Sequence, residues 1–275
     1  MRLVERFKKE GDFLFRWRSY LPLILVPFIV LVVISFDSAL VVGEKYNNAL
    51  IIFALVVGIA GQILRIFVAG FVPKDTSGRN TFGQQAASLN TSGIYSLCRN
   101  PLYLGNFFMM LSPVILVGNW IFALLFALGF WLYYERIIFA EEAFLSQKFG
   151  DDYKKWCDST PCFFPRFSGF KRADLSFSLK TTLRREYHSL FGLASSLLAT
   201  NLIIKIIAES TPIFAESTLD SAPKSLLGGG FEAMSFMQKI MPSYILLAFF
   251  EICLIIYVIC RILVKKTNAL SVENR

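Results

Sequence analysis

Long apolar runs separated by short polar segments dominate this chain of 275 residues. A helix needs roughly 20 apolar residues to cross a hydrocarbon core of about 30 Å. Six runs approach or reach that length, and each is expected to form a membrane-spanning helix. They are Tyr20–Phe36, Ala49–Val72, Leu102–Val117, Trp120–Phe139, Tyr187–Ala208 and Ser243–Leu263. The pattern predicts an all-α polytopic membrane protein with about six transmembrane helices.

The connections between these runs refine the prediction. Only Gly118 and Asn119 separate the third run from the fourth, which indicates a tight helical hairpin whose two helices are neighbours. Nineteen residues, rich in polar ones, precede the first run, and no small-residue cleavage site follows it. We therefore expect the first run to remain as a span and not to be removed as a signal peptide.

Composition supports a membrane location. The chain is 55% hydrophobic and only 17% charged, and its mean hydropathy is +0.55. In soluble domains about a quarter of the residues are charged, so this chain is too apolar for an ordinary soluble fold. It is expected to be an integral membrane protein.

Lys and Arg residues are distributed unevenly among the loops. If the N-terminus is cytoplasmic, 24 of the 28 lie on the cytoplasmic side and four lie outside. This bias predicts that both termini, the stretch before the third run and the segment 140–186 are cytoplasmic. It also explains the net charge of +8, because a basic cytoplasmic face suits anionic lipid head groups. Nucleic-acid binding is not indicated, since no basic surface interleaved with aromatic residues lies outside the membrane.

Cysteine and histidine usage argues against a metal centre. The five Cys form no CxxC pair, and His188 is the single His. Zinc or iron sites and a disulfide framework are therefore not expected. Cys98, Cys157 and Cys162 are interpreted as small apolar packing residues that face the reducing cytoplasm.

The chain divides into three parts. Residues 1–48 hold a cytoplasmic segment and the first span, residues 49–186 form a membrane core with a cytoplasmic helix, and residues 187–275 form a C-terminal pair of spans. The external loop 209–242 contains a GGG break and apolar residues at helical spacing. An amphipathic helix on the outer interface is expected there. Its apolar positions are Phe231, Met234, Met237, Ile240 and Met241.

The stretch "TSGIYSLCRNPLYLGN", residues 91–106, places polar residues where the third span begins. Asn100 is a favourable N-cap and Pro101 is tolerated at the first helical position, so the helix is predicted to begin at Pro101. Its free N–H groups, the nearby Arg99 and the small Gly105 together suit a carboxylate or phosphate. The alternative is that Asn-Pro only caps a span and that Arg99 extends to lipid phosphates.

A second candidate segment covers residues 133–166, where the fourth span is expected to continue as a helix to about Trp156. Glu142 falls on an apolar stripe with Leu145, Phe149, Tyr153 and Trp156, whereas Glu141 falls on a mostly solvated face. A carboxylate on a buried face needs a partner, so Glu142 is a functional candidate. The alternative is a structural ion pair with Arg99, Arg136 or Arg166. Glu251, within the last span, is a weaker functional candidate than Glu142.

Together these motifs resemble the membrane-embedded methyltransferases that include isoprenylcysteine carboxyl methyltransferases and phospholipid methyltransferases. The shared pattern is G-x-Y, then R-(H/N)-P-x-Y-x-G, a helical hairpin, E-E, F-G-x-x-Y and the closing "PCFFPR", over about residues 58–166. The resemblance implies S-adenosylmethionine as cofactor, in a cytoplasmic pocket between the two segments, and a lipid or lipid-modified acceptor that enters from the bilayer. It implies Arg166 and Glu142 as catalytic residues. The implied cofactor-binding residues are Tyr95, Arg99, Asn100, Pro101, Tyr103, Gly105, Glu141, Glu142, Phe149 and Tyr153.

One departure from the family pattern bears on the acceptor. Asn100 stands where the isoprenylcysteine enzymes have His, and an amide cannot carry a proton. Methyl transfer needs an aligned, dry site and no metal or covalent nucleophile. A carboxylate or phosphate is already nucleophilic at neutral pH, whereas an ammonium must first lose a proton. An oxyanion acceptor is therefore favoured over ethanolamine. An NADPH-dependent membrane reductase of the steroid-reductase kind and a non-enzymatic transporter or scaffold stay open as alternatives.

Overall fold

The computed structural model describes residues 2–35, 44–71, 73, 86–217, 241, 243–267 and 270. Seven α-helices account for most of these residues, and no strand occurs among them apart from a single bridge between Gly93 and Lys171. The helices are α1 (Leu3–Trp17), α2 (Leu21–Ser35), α3 (Glu44–Phe71), α4 (Pro101–Leu116), α5 (Trp120–Ser159), α6 (Leu179–Ser217) and α7 (Tyr244–Lys266). The all-α membrane architecture predicted from the apolar pattern is confirmed.

Within the described residues, four helices are long and apolar enough to cross a membrane, and they include the second, fourth, fifth and sixth predicted spans. The third predicted span forms α4, which has only 16 residues. At 1.5 Å per residue it measures about 24 Å, less than the hydrocarbon thickness. Of the six expected spans, the third is therefore a short helix that is held inside the bundle.

The first predicted span is also short, because α2 has 15 residues. A single 3₁₀ turn, Arg18–Tyr20, joins it to α1, and the two parts are bent by 71°. Helix α1 packs along α5. In the part of the chain that the structure describes, α1 and α2 taken together as one bent span would give a fifth crossing.

The predicted hairpin between α4 and α5 is confirmed. Gly118 adopts φ 76°, a conformation that glycine reaches without a steric penalty. The Asn119 side chain then accepts a hydrogen bond from the backbone N–H of Phe122 at 2.9 Å and caps α5. The two helices pack against each other as neighbours.

Small residues bring α3 and α4 into close contact. A Cβ atom at Gly61 would lie 2.6 Å from the carbonyl oxygen of Gly105, and one at Gly58 would lie 2.8 Å from the Ser112 hydroxyl. The Ser112 hydroxyl donates to the Ala54 carbonyl at 2.6 Å. Close packing through small residues is the usual way in which helices associate in lipid.

Helix α5 does not continue smoothly to Trp156, contrary to the sequence prediction. Gly150, in the "FGDDY" motif, interrupts it with φ 54° and ψ −123°. This conformation is accessible almost only to glycine. The residues after Gly150 therefore point in directions that a continuous helix would not give.

The C-terminal helices complete the bundle. Helix α6 extends from Leu179, so residues 186 and 187 lie within one continuous helix. It packs against α3, α4 and α7, and the Asn201 side chain accepts a hydrogen bond from the Ser243 N–H at 3.1 Å, just before α7. The amphipathic helix expected around Phe231–Met241 falls almost wholly outside the described residues.

Candidate functional site

Two segments that are far apart in sequence lie side by side on one side of the bundle. The backbone N–H of Arg99 donates to the Pro161 carbonyl at 2.9 Å, and that of Arg166 donates to the Leu97 carbonyl at 3.0 Å. Gly93 and Lys171 form an antiparallel bridge between the same two parts of the chain. The stretch before α4 is thus joined by backbone hydrogen bonds to the "PCFFPR" stretch after α5, so the two motifs form one site.

Helix α4 begins at Pro101, as predicted, with Asn100 at the N-cap position. The prediction was wrong about the role of the Asn100 side chain, which makes no capping hydrogen bond. Its amide instead donates to the Cys162 carbonyl at 3.0 Å. Asn100 therefore ties the start of α4 to the segment after α5 and does not cover the first turn of the helix.

Arg99 and Glu142 form an ion pair across the two motifs. Arg99 Nη2 lies 2.9 Å from Glu142 Oε1, and the two side chains are 15% and 34% exposed. Arg99 Nη1 also donates to the Cys157 carbonyl at 3.2 Å, whereas its Nε is buried and has no hydrogen-bond partner among the described residues. The structural ion pair considered for Glu142 is present, and Cys162 also lies close enough to act on the Arg99 guanidinium.

Glu141 does not lie on a solvated face, so that prediction was wrong. Its carboxylate is partly buried and lies near the Tyr103 hydroxyl, and Arg18 lies close enough to act on both groups. The Tyr103 ring packs against Tyr134 with the ring centroids 4.6 Å apart. Glu141 therefore faces the helix bundle, whereas Glu142 contacts Arg99 of the first motif.

Aromatic residues flank the Arg99–Glu142 pair. Tyr153 is buried and contacts Trp156, with the ring centroids 5.8 Å apart. The Trp156 indole donates to the Tyr95 carbonyl at 3.3 Å. Phe149 is half-buried and lies before the break at Gly150. The apolar stripe expected from Glu142 to Trp156 is thus divided into two parts with different directions.

Arg166 is exposed and its guanidinium donates to the Ser159 carbonyl. Arg166 lies on the segment after α5, which is hydrogen-bonded to the segment that carries Arg99. It makes no ion pair with Glu142 among the described contacts. Its proposed catalytic role has no further geometric support from these contacts. Glu251 is exposed on α7.

Gly105 has a role that the sequence did not indicate. A Cβ atom there would lie 2.6 Å from Arg65 Cγ and 3.0 Å from the Gly61 carbonyl oxygen. The space beside the first turn of α4 is therefore filled by the side chain of Arg65 and the backbone of α3.

A buried polar network, overlooked at the sequence level, connects four helices at this point. Arg65 Nε and Nη2 donate to the two carboxylate oxygens of Glu186 at 2.8 Å and 3.0 Å. Arg65 also donates to the Asn106 side-chain oxygen, and the Asn106 amide donates to the Tyr134 hydroxyl at 3.3 Å. The available signals were a charged residue, Arg65, inside the second apolar run and Glu186 directly before the fifth. Their sequence separation concealed the pairing.

The cysteines near the site behave as packing residues. Cys98 is 1% exposed, and burial raises the pKa of its thiol to about 12. Burial also raises the pKa of Cys162. A thiol with a raised pKa is a poor nucleophile and a poor metal ligand at neutral pH. Among the residues that the structure describes, no three His, Cys, Asp or Glu side chains come together as a metal site.

Comparison with known proteins finds a matched region that contains Arg99 and Glu142. Residues 49–152 match the family model of phospholipid methyltransferases. Over 77 residues the chain is 39% identical to the protein-S-isoprenylcysteine O-methyltransferase of Schizosaccharomyces pombe, covering 28% of this chain and 33% of the relative. Over 84 residues it is 31% identical to the mouse protein of the same name, covering 30% of each.

Another relative is named for resistance to metals and not for methyl transfer. Over 91 residues the chain is 38% identical to the nickel-cobalt-cadmium resistance protein NccN of Alcaligenes xylosoxydans xylosoxydans, covering 32% of this chain and 41% of the relative. The chain thus spans only about a third of the length of these curated relatives. No solved structure matches it significantly. The resemblance to membrane-embedded methyltransferases is confirmed, and it concerns the membrane core.

Proposed function

We propose that this integral membrane protein transfers a methyl group from S-adenosylmethionine to a lipid-like acceptor. The observation that carries the proposal is the Arg99–Glu142 contact at 2.9 Å. It joins the two motifs on which the resemblance rests, and both residues lie within the region 49–152 that matches the methyltransferase family.

The residues around this contact fit the proposed cofactor. Arg99 keeps a buried Nε donor without a partner among the described residues, and the first turn of α4 lacks a side-chain cap. A guanidinium beside a helix N-terminus suits the α-carboxylate of S-adenosylmethionine. Glu142 is the carboxylate available to its ribose or amino group. When bound, S-adenosylmethionine supplies a methyl group on a sulfonium, which an acceptor takes up by in-line displacement.

The chain's own residues are proposed to hold and enclose the reactants. Tyr153, close to Glu142, and Phe149, on the same helix, provide aromatic rings suited to an adenine ring or a sulfonium cation. Tyr103, which lies near Glu141, is on the bundle side of the site. Alignment in an enclosed site is the main contribution that a protein makes to such a displacement.

An oxyanion is the proposed acceptor class, such as a prenylcysteine carboxylate or a lipid phosphate. Asn100 uses its amide to donate to a backbone carbonyl and cannot remove a proton from an ammonium group. An ethanolamine phospholipid is the alternative, because the matched family model is that of phospholipid methyltransferases.

The proposal is tested in membranes that contain this chain, with S-adenosylmethionine carrying a labelled methyl group. Farnesylcysteine derivatives, phosphatidic acid and phosphatidylethanolamine are offered separately as acceptors. Mild base releases methanol from a carboxyl methyl ester but leaves an N-methyl group in place, so the label distinguishes the two outcomes. Absence of transfer to all three by protein that binds S-adenosylhomocysteine would contradict the acceptor classes. Absence of binding as well would contradict the function.

A further inference from the structure

We propose that helix α7 pairs with the α7 helix of a second copy of this chain inside the bilayer. The contact surface, called the outer seam of α7, consists of Tyr244, Ala248, Glu251, Ile255, Val258 and Ile262. All six side chains are exposed in the single chain. The pairing does not depend on methyl transfer.

The inner face of α7 is already occupied. Leu246, Cys253 and Cys260 recur at intervals of seven residues and are 1%, 2% and 4% exposed. Helix α7 packs against α6, so this buried stripe is its inner face. With 3.6 residues per turn, Glu251 lies about 160° around the helix from Cys253. The outer seam therefore faces away from the described part of the bundle.

The outer seam has the spacing of a helix-pairing surface. Its six positions follow one another at intervals of 4, 3, 4, 3 and 4 residues. This alternation lets two helices pack the side chains of one into the spaces between the side chains of the other. From Tyr244 to Ile262 the seam extends about 27 Å, which is most of the hydrocarbon thickness. Spacing alone does not distinguish a partner helix from lipid, because lipid tails also cover apolar side chains.

Glu251 makes lipid an unfavourable neighbour for this face. It lies about 10 Å along the helix from Tyr244 and about 22 Å from Lys266, so it is inside the hydrocarbon core. Its side chain is exposed and has no hydrogen bond or ion pair among the described residues. A carboxyl group in hydrocarbon is costly without a hydrogen-bonding partner. The outer seam therefore needs a partner with a polar group at this depth.

A second copy of the chain supplies a polar group at that depth. All copies of one membrane protein have the same orientation in the bilayer. Two α7 helices related by a two-fold axis along the membrane normal are then parallel, and each seam position meets the same position of the other copy. The two Glu251 side chains face each other, and two carboxyl groups can hydrogen-bond when one of them carries a proton. The outer seam is thus complementary to itself.

Cysteine cross-linking tests the contact. Ile255→Cys and Ile262→Cys place thiols on the outer seam, whereas Ile252→Cys and Ile259→Cys place them at exposed positions beside it. Each full-length variant is reconstituted alone in phosphatidylcholine vesicles and oxidised with copper phenanthroline. The parent chain, with five cysteines of its own, gives the background. Covalent dimer above that background is expected from the two seam variants and not from the other two. Equal dimer from all four, or none above background, would overturn the pairing.

Association in the bilayer tests the role of Glu251. Chains that carry donor or acceptor dyes at the N-terminus are mixed in phosphatidylcholine vesicles, and energy transfer is followed as lipid is added. Glu251→Leu is expected to weaken association about 5- to 30-fold, because a polar contact between helices is lost. Glu251→Gln should retain most of the association, since two amides can hydrogen-bond to each other. Unchanged association of Glu251→Leu would overturn the role of the carboxyl group. The cross-linking variants keep Glu251, so they test the contact even if Glu251→Leu fails to fold.

A matched control keeps a polar group near the same depth but moves it off the outer seam. The double variant Glu251→Leu with Ile252→Gln carries its amide about 100° further around α7. It should associate as weakly as Glu251→Leu. Recovery to the level of Glu251→Gln would overturn the outer seam as the contact surface. A parent chain that stays monomeric at every lipid dilution would overturn the second copy as partner and would assign Glu251 to another protein or another segment of this chain.

Discussion

Arg99 Nη2 and Glu142 Oε1 are 2.9 Å apart and connect the helix start at Pro101 with α5. Both residues were candidates for cofactor contacts, and in this structure they contact each other. Their pairing separates two roles that experiments can distinguish, because a structural pair contributes to stability and a ligand-binding pair contributes to affinity.

The first prediction concerns Arg99. Arg99→Ala removes a charge-assisted hydrogen-bond donor, so S-adenosylhomocysteine affinity should fall about 10- to 150-fold, which corresponds to about 1.5–3 kcal/mol. Arg99→Lys should recover only part of the lost affinity, because an ammonium lacks the planar N–H donors of a guanidinium. Isothermal titration of the detergent-purified protein measures the change, with the exposed Arg172→Ala as control. Unchanged affinity together with a lower unfolding temperature would assign Arg99 a purely structural role.

The second prediction separates Glu142 from Glu141. Glu142→Gln removes the negative charge that pairs with Arg99. The affinity loss of the double variant should therefore be smaller than the sum of the losses of Glu142→Gln and Arg99→Ala. A double-mutant cycle should give a coupling energy of about 0.5–3 kcal/mol. Glu141→Gln acts on Tyr103 and should combine with Arg99→Ala almost additively. The same coupling for both glutamates would refute this separation.

The third prediction concerns the buried pair of Arg65 and Glu186, whose side chains are 17% and 7% exposed. Glu186→Gln leaves a buried guanidinium without its counter-charge, which typically costs about 3–5 kcal/mol. The loss should appear as a lower free energy of unfolding in detergent. Asp151→Asn serves as control, because its pairing with Lys154 is largely exposed and should contribute at most about 1 kcal/mol.

The fourth prediction tests the break in α5. Gly150→Ala forces an alanine into φ 54°, and no atom lies within 4 Å of the added Cβ. The cost is therefore conformational, about 1–3 kcal/mol. Gly129→Ala adds a Cβ to the same helix, also into open space, and should be neutral or stabilising by up to about 1 kcal/mol. If thermal unfolding shows equal changes for the two variants, the break at Gly150 is not a native constraint.

The fifth prediction concerns sidedness, which rests on the distribution of Lys and Arg. Cysteines introduced near Asp75 and Ser168 should react with an impermeant maleimide from the cytoplasmic side. Those near Asn47 and Ser221 should react from outside. Labelling of all four from the same side would contradict the proposed orientation.

Local features of the fold were predictable because their causes are local in sequence. An apolar run of sufficient length must form a helix in lipid, since its backbone groups need internal partners. The turn at Gly118 and Asn119 and the helix start at Pro101 follow from the backbone preferences of single residues. The length of α4 relative to the membrane was not predictable from its own residues, because neighbouring helices can hold a short helix inside a bundle.

The direction of side chains on α5 was not predictable in the same way. A periodic pattern assumes a continuous helix, and the positive φ of Gly150 ends that continuity. Glu141 was placed on a solvated face by this pattern, but the hydroxyl of Tyr103 on a different helix reaches it. Such a contact depends on how two helices pack, which no single stretch of sequence contains.

The sequence by itself determined the membrane architecture, the hairpin and the two motifs of the candidate site, because each depends on hydropathy or on the residue types within a short stretch. Only the tertiary structure decided which charges meet. Arg65 and Glu186 are separated by 121 residues, and Arg99 could have paired with a ligand, a lipid phosphate or Glu142. The physical reason is that a buried charge takes whichever partner helix packing brings within hydrogen-bond distance, and that distance is set by the whole bundle.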